Sequence, residues 1–283
     1  MVRIQIESRI PIQEAPTKIA RQPKEVVRAE MNPSNHTQVN RIGHTYSLDL
    51  DKMSNSINPI PLLNDLPKAS LPTGERLILA SGSPRRSQLL TAAGYEFSIQ
   101  VAGEEAECGM CSRETAPELV ARYAYRKAAD VVARYQSGLV LAADTVASCL
   151  GQILGKPRDI EHAESMLRTL SGRKHDVYTG VCLWSAELNR CVVDVVRTEL
   201  KMSPLSEEML ENYLDSMLWE GKAGAFGYQD GNDWLKVVNE GSESNVVGLP
   251  MERLAELLEN FAEIAETVNI DTNRPDTGDP TSC

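Results

Sequence analysis

The chain has 283 residues, 42% hydrophobic and 24% charged, a composition typical of globular proteins with room for a sizeable core. Its formal net charge of −11 argues against nucleic-acid binding as the main activity, because that activity depends on summed lysine and arginine charge. No stretch approaches the roughly 20 apolar residues that span a bilayer, and no apolar signal core follows the first basic residues, so we expect a cytoplasmic protein that binds neither nucleic acid nor membrane.

Two polar segments flank the expected folded domain. Residues 1–74 are rich in proline and polar side chains and show no sustained period, which predicts a disordered or weakly ordered extension. Residues 267–283 have a similar composition and predict a disordered tail. The folded domain is therefore predicted to span residues 75–266.

Within these limits, short β-branched runs alternate with helical periods. Strands are predicted over 76–80, 96–101 and 139–143, followed by a hairpin of 176–186 with 190–201. Helices are predicted over 85–93, from a capping-box pattern at Thr115 to Val132, and over 160–170, 206–217 and 250–262. This alternation indicates an α/β domain with a mixed, twisted sheet flanked by helices.

The first predicted strand is followed by a short basic segment, Ser81-Gly82-Ser83-Pro84-Arg85-Arg86. Gly82 lets the backbone approach a ligand, and Pro84 suits the first turn of a helix, whose free N–H groups attract anions. Arg85 and Arg86 add planar donors that match phosphate oxygens. A plain strand-to-helix turn with solvated arginines explains this segment equally well.

Three later segments carry polar side chains suited to catalysis or ligand binding. Asp144-Thr145 closes an apolar run, where a carboxylate is costly unless it is paired or metal-bound. Lys156 lies in a constrained Gly-Lys-Pro loop, and Gln229 lies in a glycine-rich segment, where its amide can both donate to and accept from a base edge. A turn cap, an ordinary loop and a flexible glycine loop are the respective structural alternatives.

In this order, the motifs resemble the Maf family of nucleotide pyrophosphatases over roughly residues 77–258. The resemblance rests on Ser81-x-Ser83-Pro84-Arg85-Arg86, Ala143-Asp144-Thr145, Gly155-Lys156-Pro157, Leu170-Ser171-Gly172 with His175, Tyr178-Thr179-Gly180-Val181, Lys222-Ala223-Gly224-Ala225 and Asn245-Val246-Val247-Gly248-Leu249-Pro250. It implies an elongated two-lobed fold with a central cleft, similar to inosine triphosphate pyrophosphatases. It also implies hydrolysis of nucleoside triphosphates between the α and β phosphates with a divalent cation, Mg²⁺ or Mn²⁺.

The resemblance further implies a role for each matched residue. Asp144 is the expected proton acceptor, and Glu105 is expected to hold the metal with it, although Glu104 and Glu107 compete for the same alignment. Lys156 completes the expected catalytic set. Substrate contacts are implied for Ser83, Arg85, Arg86, Lys127, Thr145, Lys222 and Gln229.

Three positions bear on base preference. Arg85, Thr145 and Gln229 match the branch of the family that acts on dTTP and UTP, whereas the 7-methyl-GTP branch typically carries Trp, Gln and Glu there. The predicted function is therefore hydrolysis of dTTP and UTP to the monophosphate and pyrophosphate, a reaction that also clears non-standard nucleotides. The chain departs from the family pattern at Tyr228, Asp230 and Glu243, where isoleucine, glycine and tyrosine are usual.

Two other functions remain open at this point. The same site is suited to 7-methyl-GTP or another modified purine nucleotide, and the family's name links it to septum formation, which suggests a division-regulating binding protein without essential catalysis. A homodimer is compatible with the sequence. The pair Cys108 and Cys111 has the CxxC spacing, but no second Cys or His pair lies nearby, so we interpret it as incidental. We interpret His162 and His175 in the same way.

Overall fold

A computed structural model describes residues 65–267 except 73, 108, 110–112 and 240, with side chains described as far as residue 264. The predicted extension up to residue 64 and the predicted tail from residue 268 lie outside this range. Cys108 and Cys111 lie outside it too. No helix in the described ranges is both long and apolar enough to cross a membrane.

The secondary structure alternates between strands and helices, as the hydrophobic pattern predicts. Within the described residues, the seven strands are β1 (Leu77–Leu79), β2 (Phe97–Ile99), β3 (Leu139–Cys149), β4 (Gln152–Leu154), β5 (Lys174–Ser185), β6 (Arg190–Met202) and β7 (Leu235–Val237). The α-helices are α1 (Pro84–Ala92), α2 (Ala116–Val132), α3 (Ile160–Leu170), α4 (Glu207–Asp215), α5 (Glu243–Val247), α6 (Met251–Glu259) and α7 (Phe261–Thr267). Short 3₁₀ helices cover Glu104–Glu107 and Ala223–Ala225.

The seven strands form one mixed sheet in the order β2-β1-β3-β5-β6-β7, with β4 paired to β3 beside this path. β1 pairs in parallel with β2 and β3, whereas the β3–β5, β5–β6 and β6–β7 pairs are antiparallel. Helices pack on the sheet through buried leucine, alanine and valine side chains of α1, α2, α3 and α6. The predicted mixed α/β fold is confirmed.

Strand β3 is longer than the apolar run 139–143 predicted. It continues to Cys149 because β5 pairs with it in register as far as Ser148, so Asp144 lies within the strand and not at its end. The parallel neighbour β1 stops at Leu79, opposite Leu141. Asp144 therefore lies just past the point where β1 leaves the sheet, which gives its carboxylate access to the surface beside a continuous strand.

The long strand β3 contributes buried side chains to four hydrophobic clusters, and two of them lie on either side of the polar pair Asp144 and Thr145 along the strand. Ala143 belongs to a cluster with α1 and α6, and Ala147 belongs to a second cluster with α3 and α4. Both side chains are fully buried. Asp144 and Thr145 lie between these positions, so the polar pair is held on a strand that is packed at both ends.

The folded domain begins earlier than residue 75, the boundary expected from composition. Ala69 is buried in the core, and its N–H donates to the Tyr95 hydroxyl at 2.9 Å. Leu66 and Leu71 pack partly buried against the same cluster. The prolines in this stretch hide the apolar pattern of Leu66, Ala69 and Leu71, and the hydrogen-bond partner of Ala69 lies 26 residues further along the chain.

This packing predicts a difference between two truncated chains. A chain that starts at residue 72 lacks the bond to Tyr95 and the contacts of Leu66 and Leu71, so we expect it to be less stable than one that starts at residue 65 by about 2 kcal/mol. For a domain of this size the difference corresponds to roughly 4–8 °C in Tm. Calorimetry of both chains checks this, and equal melting temperatures would show that residues 65–71 contribute nothing.

Candidate active site

A cleft of about 600 Å³ opens beside the end of β1. Its walls come from the segment 80–86 after β1, from Asp144 and Thr145 of β3, and from the loop 220–230 that precedes β7. The short helix α5 contributes Val246 and Val247, and Gly248 follows directly after it. These are the segments that carry the sequence motifs, so the fold brings distant parts of the chain to one surface.

Arg86 joins three of these walls and is itself buried. Its Nε donates to the Gly248 carbonyl at 2.8 Å, Nη1 to the Ser81 hydroxyl at 2.9 Å, and Nη2 to the Thr145 hydroxyl at 3.1 Å. Since each guanidinium nitrogen already has a protein acceptor, Arg86 mainly fixes the walls of the cleft. Burial lowers the pKa of Arg86, and the charge of Asp144 opposes that shift.

Thr145 and Thr179 continue this network toward α5. Their hydroxyl oxygens lie 3.0 Å apart, and Thr179 donates to the Asn245 carbonyl at 3.1 Å. The side chain of Asn245 donates in turn to the Val177 carbonyl at 3.3 Å. These bonds tie β3, β5 and α5 together behind the cleft. They give a structural reason for the two sequence motifs that contain Thr179 and Asn245.

The segment after β1 presents Ser83 and Arg85 to the cleft. Ser83 precedes α1, where Pro84 begins the helix, and its side chain makes no capping bond. Arg85 reaches the opposite wall and donates from Nη2 to the Gly221 carbonyl at 3.0 Å. Burial lowers the pKa of Arg85, while Asp230 and Tyr213 oppose the shift. The residue therefore lies between the two sides of the cleft.

A lysine holds two carboxylates at the centre of the cleft. Lys127, on α2, is buried, and its Nζ lies 2.6 Å from Oδ1 of Asp144 and 2.7 Å from Oε1 of Glu107. Burial raises the pKa of Glu107, but the hydrogen bond and charge of Lys127, helped by Lys156 and Arg86, outweigh it and hold the pKa below its ordinary value. Glu107 is thus an anion at neutral pH.

Glu105 does not line the cleft, whereas Glu104 and Glu107 do. The 3₁₀ helix Glu104–Glu107 explains the difference, because residues three apart lie on the same side of such a helix. The Glu105 backbone carbonyl accepts from Arg126 at 3.2 Å. Glu107, which the sequence offered as a competitor of Glu105, is therefore the glutamate that shares Lys127 with Asp144.

The loop 220–230 supplies a second ion pair. Lys222 pairs with Oδ1 of Asp230, and Oδ2 of the same carboxylate accepts from the Tyr213 hydroxyl at 2.7 Å. Burial lowers the pKa of Lys222, and the bond to Asp230 opposes that effect. Gly224 N–H donates to the Gly155 carbonyl at 3.0 Å, which holds this loop against the loop of Lys156.

Gln229 lies between two anchored residues. Nε2 of Gln229 is buried and has no hydrogen-bond partner among the described residues. Its neighbour Tyr228 donates to Oε1 of Glu243 at 2.7 Å, and its other neighbour is Asp230. An amide with an unused buried donor is suited to a ligand that presents an acceptor.

The structure places nine of the ten predicted site residues on the cleft: Ser83, Arg85, Arg86, Lys127, Asp144, Thr145, Lys156, Lys222 and Gln229. Tyr213 lies on α4 with the spacing of an ordinary core residue, so no local sequence signal marks it as part of the site. Glu243 departs from the family pattern, and its partner Tyr228 is visible only in the structure.

The side chain of His175 is buried in the core beside Phe226. It lies on β5 with its ring edge-on to Phe226, at 5.3 Å between centroids, and is 3% exposed. Burial lowers its pKa to about 4, against smaller opposing effects of the Arg173 backbone and Asp176. It is a neutral core side chain next to the cleft wall.

This histidine predicts a pH dependence of stability. Between pH 6.5 and about 4 the unfolded chain binds a proton at residue 175 and the folded chain does not, so stability falls as pH falls through that window. Between pH 6.5 and 4.5, His175→Gln should lose about 2 kcal/mol less unfolding free energy than the wild type. Urea titrations of both chains measure this, and identical pH slopes would contradict it.

Comparison with known proteins finds relatives that agree with the family resemblance of the sequence motifs. A family model described as Maf-like protein matches residues 76–261. A protein of Rhodopirellula baltica named dTTP/UTP pyrophosphatase is 70% identical over 215 residues, which is 74% of this chain and 95% of the relative. One of Geotalea uraniireducens with the same name is 40% identical over 66% of this chain and 96% of its own. A solved nucleoside-triphosphatase (dITP/XTP pyrophosphatase) of Mycobacterium abscessus covers 67% of this chain and 98% of its own at a TM-score of 0.33 and 13% identity.

Proposed function

Because the chain belongs to the family of Maf-like proteins, we propose that it hydrolyses dTTP and UTP between the α and β phosphates and releases the monophosphate and pyrophosphate. The observation that carries the proposal is the cleft itself. It combines a lysine-held pair of carboxylates, Asp144 and Glu107, with cationic side chains on the surrounding walls. This is the set of groups that attack of water on a phosphoanhydride requires.

Asp144 is the proposed proton acceptor. Lys127 occupies Oδ1, so the carboxylate is oriented and its second oxygen is the one that takes a proton from the attacking water. Removing either partner of this ion pair therefore changes the position of the acceptor.

A divalent cation fits the donor set of this cleft. No group of three or more His, Cys, Asp or Glu side chains that could hold a metal occurs in the described ranges. Mg²⁺, however, is usually held by one or two carboxylates together with substrate phosphates and water, and Asp144 and Glu107 supply such a pair. When bound, the cation neutralises charge on the phosphates.

The remaining cations are suited to the phosphate chain. Lys156, Lys222 and Arg85 all line the same cleft as the two carboxylates. Ser83 and Pro84 at the start of α1 also line the cleft, and the free N–H groups of a helix start favour anions. Fixed positive groups around the leaving pyrophosphate stabilise the charge that develops on it.

The hydrogen bonds of the Asp230 carboxylate support the proposed preference for uracil and thymine. A free carboxylate beside Gln229 would favour a base with an exocyclic amine, such as cytosine or guanine. Both oxygens of Asp230 are instead engaged, one by Lys222 and one by Tyr213. The unused amide donor of Gln229 is suited to a carbonyl, and uracil and thymine present carbonyls on both sides of N3–H. We place this activity in the cytoplasm, where nucleoside triphosphates are made and consumed.

A nucleotide panel tests the proposal. The protein is incubated with dTTP, UTP, CTP, GTP and 7-methyl-GTP in Mg²⁺ or Mn²⁺, and monophosphate and pyrophosphate are quantified. We expect dTTP and UTP to give the highest kcat/KM and EDTA to abolish turnover. Release of orthophosphate would overturn the reaction, a clear preference for a purine would overturn the base assignment, and full activity in EDTA would overturn the metal.

A further inference from the structure

The turn that carries Gln229 is pinned by a residue that does not itself line the cleft. Tyr213 lies on α4, is buried, and belongs to the cluster formed with α3. Its hydroxyl donates to Oδ2 of Asp230 at 2.7 Å and accepts from the Gly227 N–H at 3.2 Å. One hydroxyl therefore bonds to both ends of the turn 227–230.

The space inside this turn shows how closely it is fitted. A Cβ added to Gly227 would lie 2.3 Å from Oδ2 of Asp230 and 2.5 Å from Nζ of Lys222. The Asp230 N–H donates to the Gly227 carbonyl at 3.3 Å. The carboxylate of Asp230 is thus folded back over the start of its own turn, toward Tyr213 and Lys222.

This arrangement bears on base selection because Asp230 lines the cleft next to Gln229. A carboxylate oxygen with no donor is a strong acceptor, and it would attract an exocyclic amine and repel a carbonyl of the base. Tyr213 occupies one oxygen with its O–H and Lys222 occupies the other. The Nε2 donor of Gln229 therefore remains available as the polar group that contacts the base.

Building on the proposed function, we propose that Tyr213 is a positioning residue for base specificity, which holds the Asp230 carboxylate away from the base and fixes the turn of Gln229. It acts through Asp230 and Gly227 and makes no contact with substrate. The chain therefore selects a base with a carbonyl at C4 over one with an amine there, although it carries a carboxylate beside the specificity residue.

The test is the ratio of kcat/KM for CTP to that for UTP. Tyr213→Phe removes the hydroxyl and keeps the ring, so Oδ2 of Asp230 loses its donor. We expect the CTP/UTP ratio to rise about tenfold, the usual effect of one unpaired buried polar group. Tyr95→Phe is the matched control, because it also removes a buried hydroxyl that accepts a backbone N–H, and it lies away from the cleft.

A second substitution separates positioning from general loosening. In the Tyr213→Phe chain, Asp230→Gly removes the carboxylate, and the CTP/UTP ratio should return toward the wild-type value even where total activity is lower. An unchanged ratio in folded Tyr213→Phe, an equal loss for both nucleotides, or a ratio that Asp230→Gly does not restore would each overturn the inference.

Binding measurements keep this result distinct from the proposed reaction. Dissociation constants of α,β-methylene analogues of UTP and CTP are measured by calorimetry on the same variants. The ratio of the two constants should change in parallel with the ratio of kcat/KM. Absence of turnover in the wild type would overturn the proposed function alone, whereas an unchanged binding ratio in Tyr213→Phe would overturn the positioning role.

Discussion

Asp144→Asn is expected to fold like the wild type and to lose about 10²- to 10⁴-fold in kcat, the range for removal of a general base. The amide keeps the shape of the side chain but cannot take a proton from water. Folding should survive because Lys127 keeps its second partner, Glu107, at 2.7 Å. The measurement is single-turnover release of pyrophosphate together with the circular dichroism spectrum of the variant.

The matched control is Asp194→Asn. Asp194 also pairs with a basic side chain, Arg253, but it lies on β6 away from the cleft lining. Its loss should leave kcat near the wild-type value. If folded Asp144→Asn retains near wild-type kcat, Asp144 is not the proton acceptor and the assignment of roles in the cleft is wrong.

Gly180→Ala is expected to destabilise the fold severely, because β5 and α2 are in backbone contact at this residue. An added Cβ would lie 2.3 Å from the Val120 carbonyl oxygen and 2.8 Å from the Ala121 nitrogen. Neither is a side chain that can rotate away, so the helix must move off the sheet. We expect a loss of about 3 kcal/mol or more, which is roughly 6 °C or more in Tm.

Gly155→Ala provides the control for this substitution. A Cβ at Gly155 meets nothing within 4 Å, and the backbone there is outside the left-handed region. Replacing such a glycine lowers the entropy of the unfolded chain and should leave Tm unchanged or slightly raised. Equal melting temperatures for the two variants would show that the contact between β5 and α2 is not tight.

Periodicity predicted the elements that are regular over many residues. The helix at 160–170 runs over Ile160–Leu170, and the capping box at Thr115 does begin α2 at Ala116. The apolar run 139–143 predicted only the first part of β3, because pairing with β5 extends the strand through the polar residues at its middle. Tertiary pairing is not visible in the hydrophobic pattern of one strand.

The site was predictable where chemistry is carried by local motifs. Asp144, Lys156 and the arginines after β1 lie in short segments whose residue types and loop positions are informative by themselves. Glu107 required knowing that residues 104–107 form a 3₁₀ helix, and Tyr213 required knowing which face of α4 meets the loop at Asp230. Contacts of this kind exist only after the chain has folded.

The hydrogen bonds of Arg86 determine when the cleft can form during synthesis of the chain. The guanidinium that sets the walls of the cleft comes early in the domain, and one of its acceptors, the Gly248 carbonyl, comes 162 residues later. During synthesis the N-terminal part of a chain emerges from the ribosome first, so Arg86 emerges long before the Gly248 carbonyl that accepts from its Nε. A nascent chain therefore carries no working cleft until translation has passed α5, and a product truncated before that point would lack activity however much of its sheet had formed.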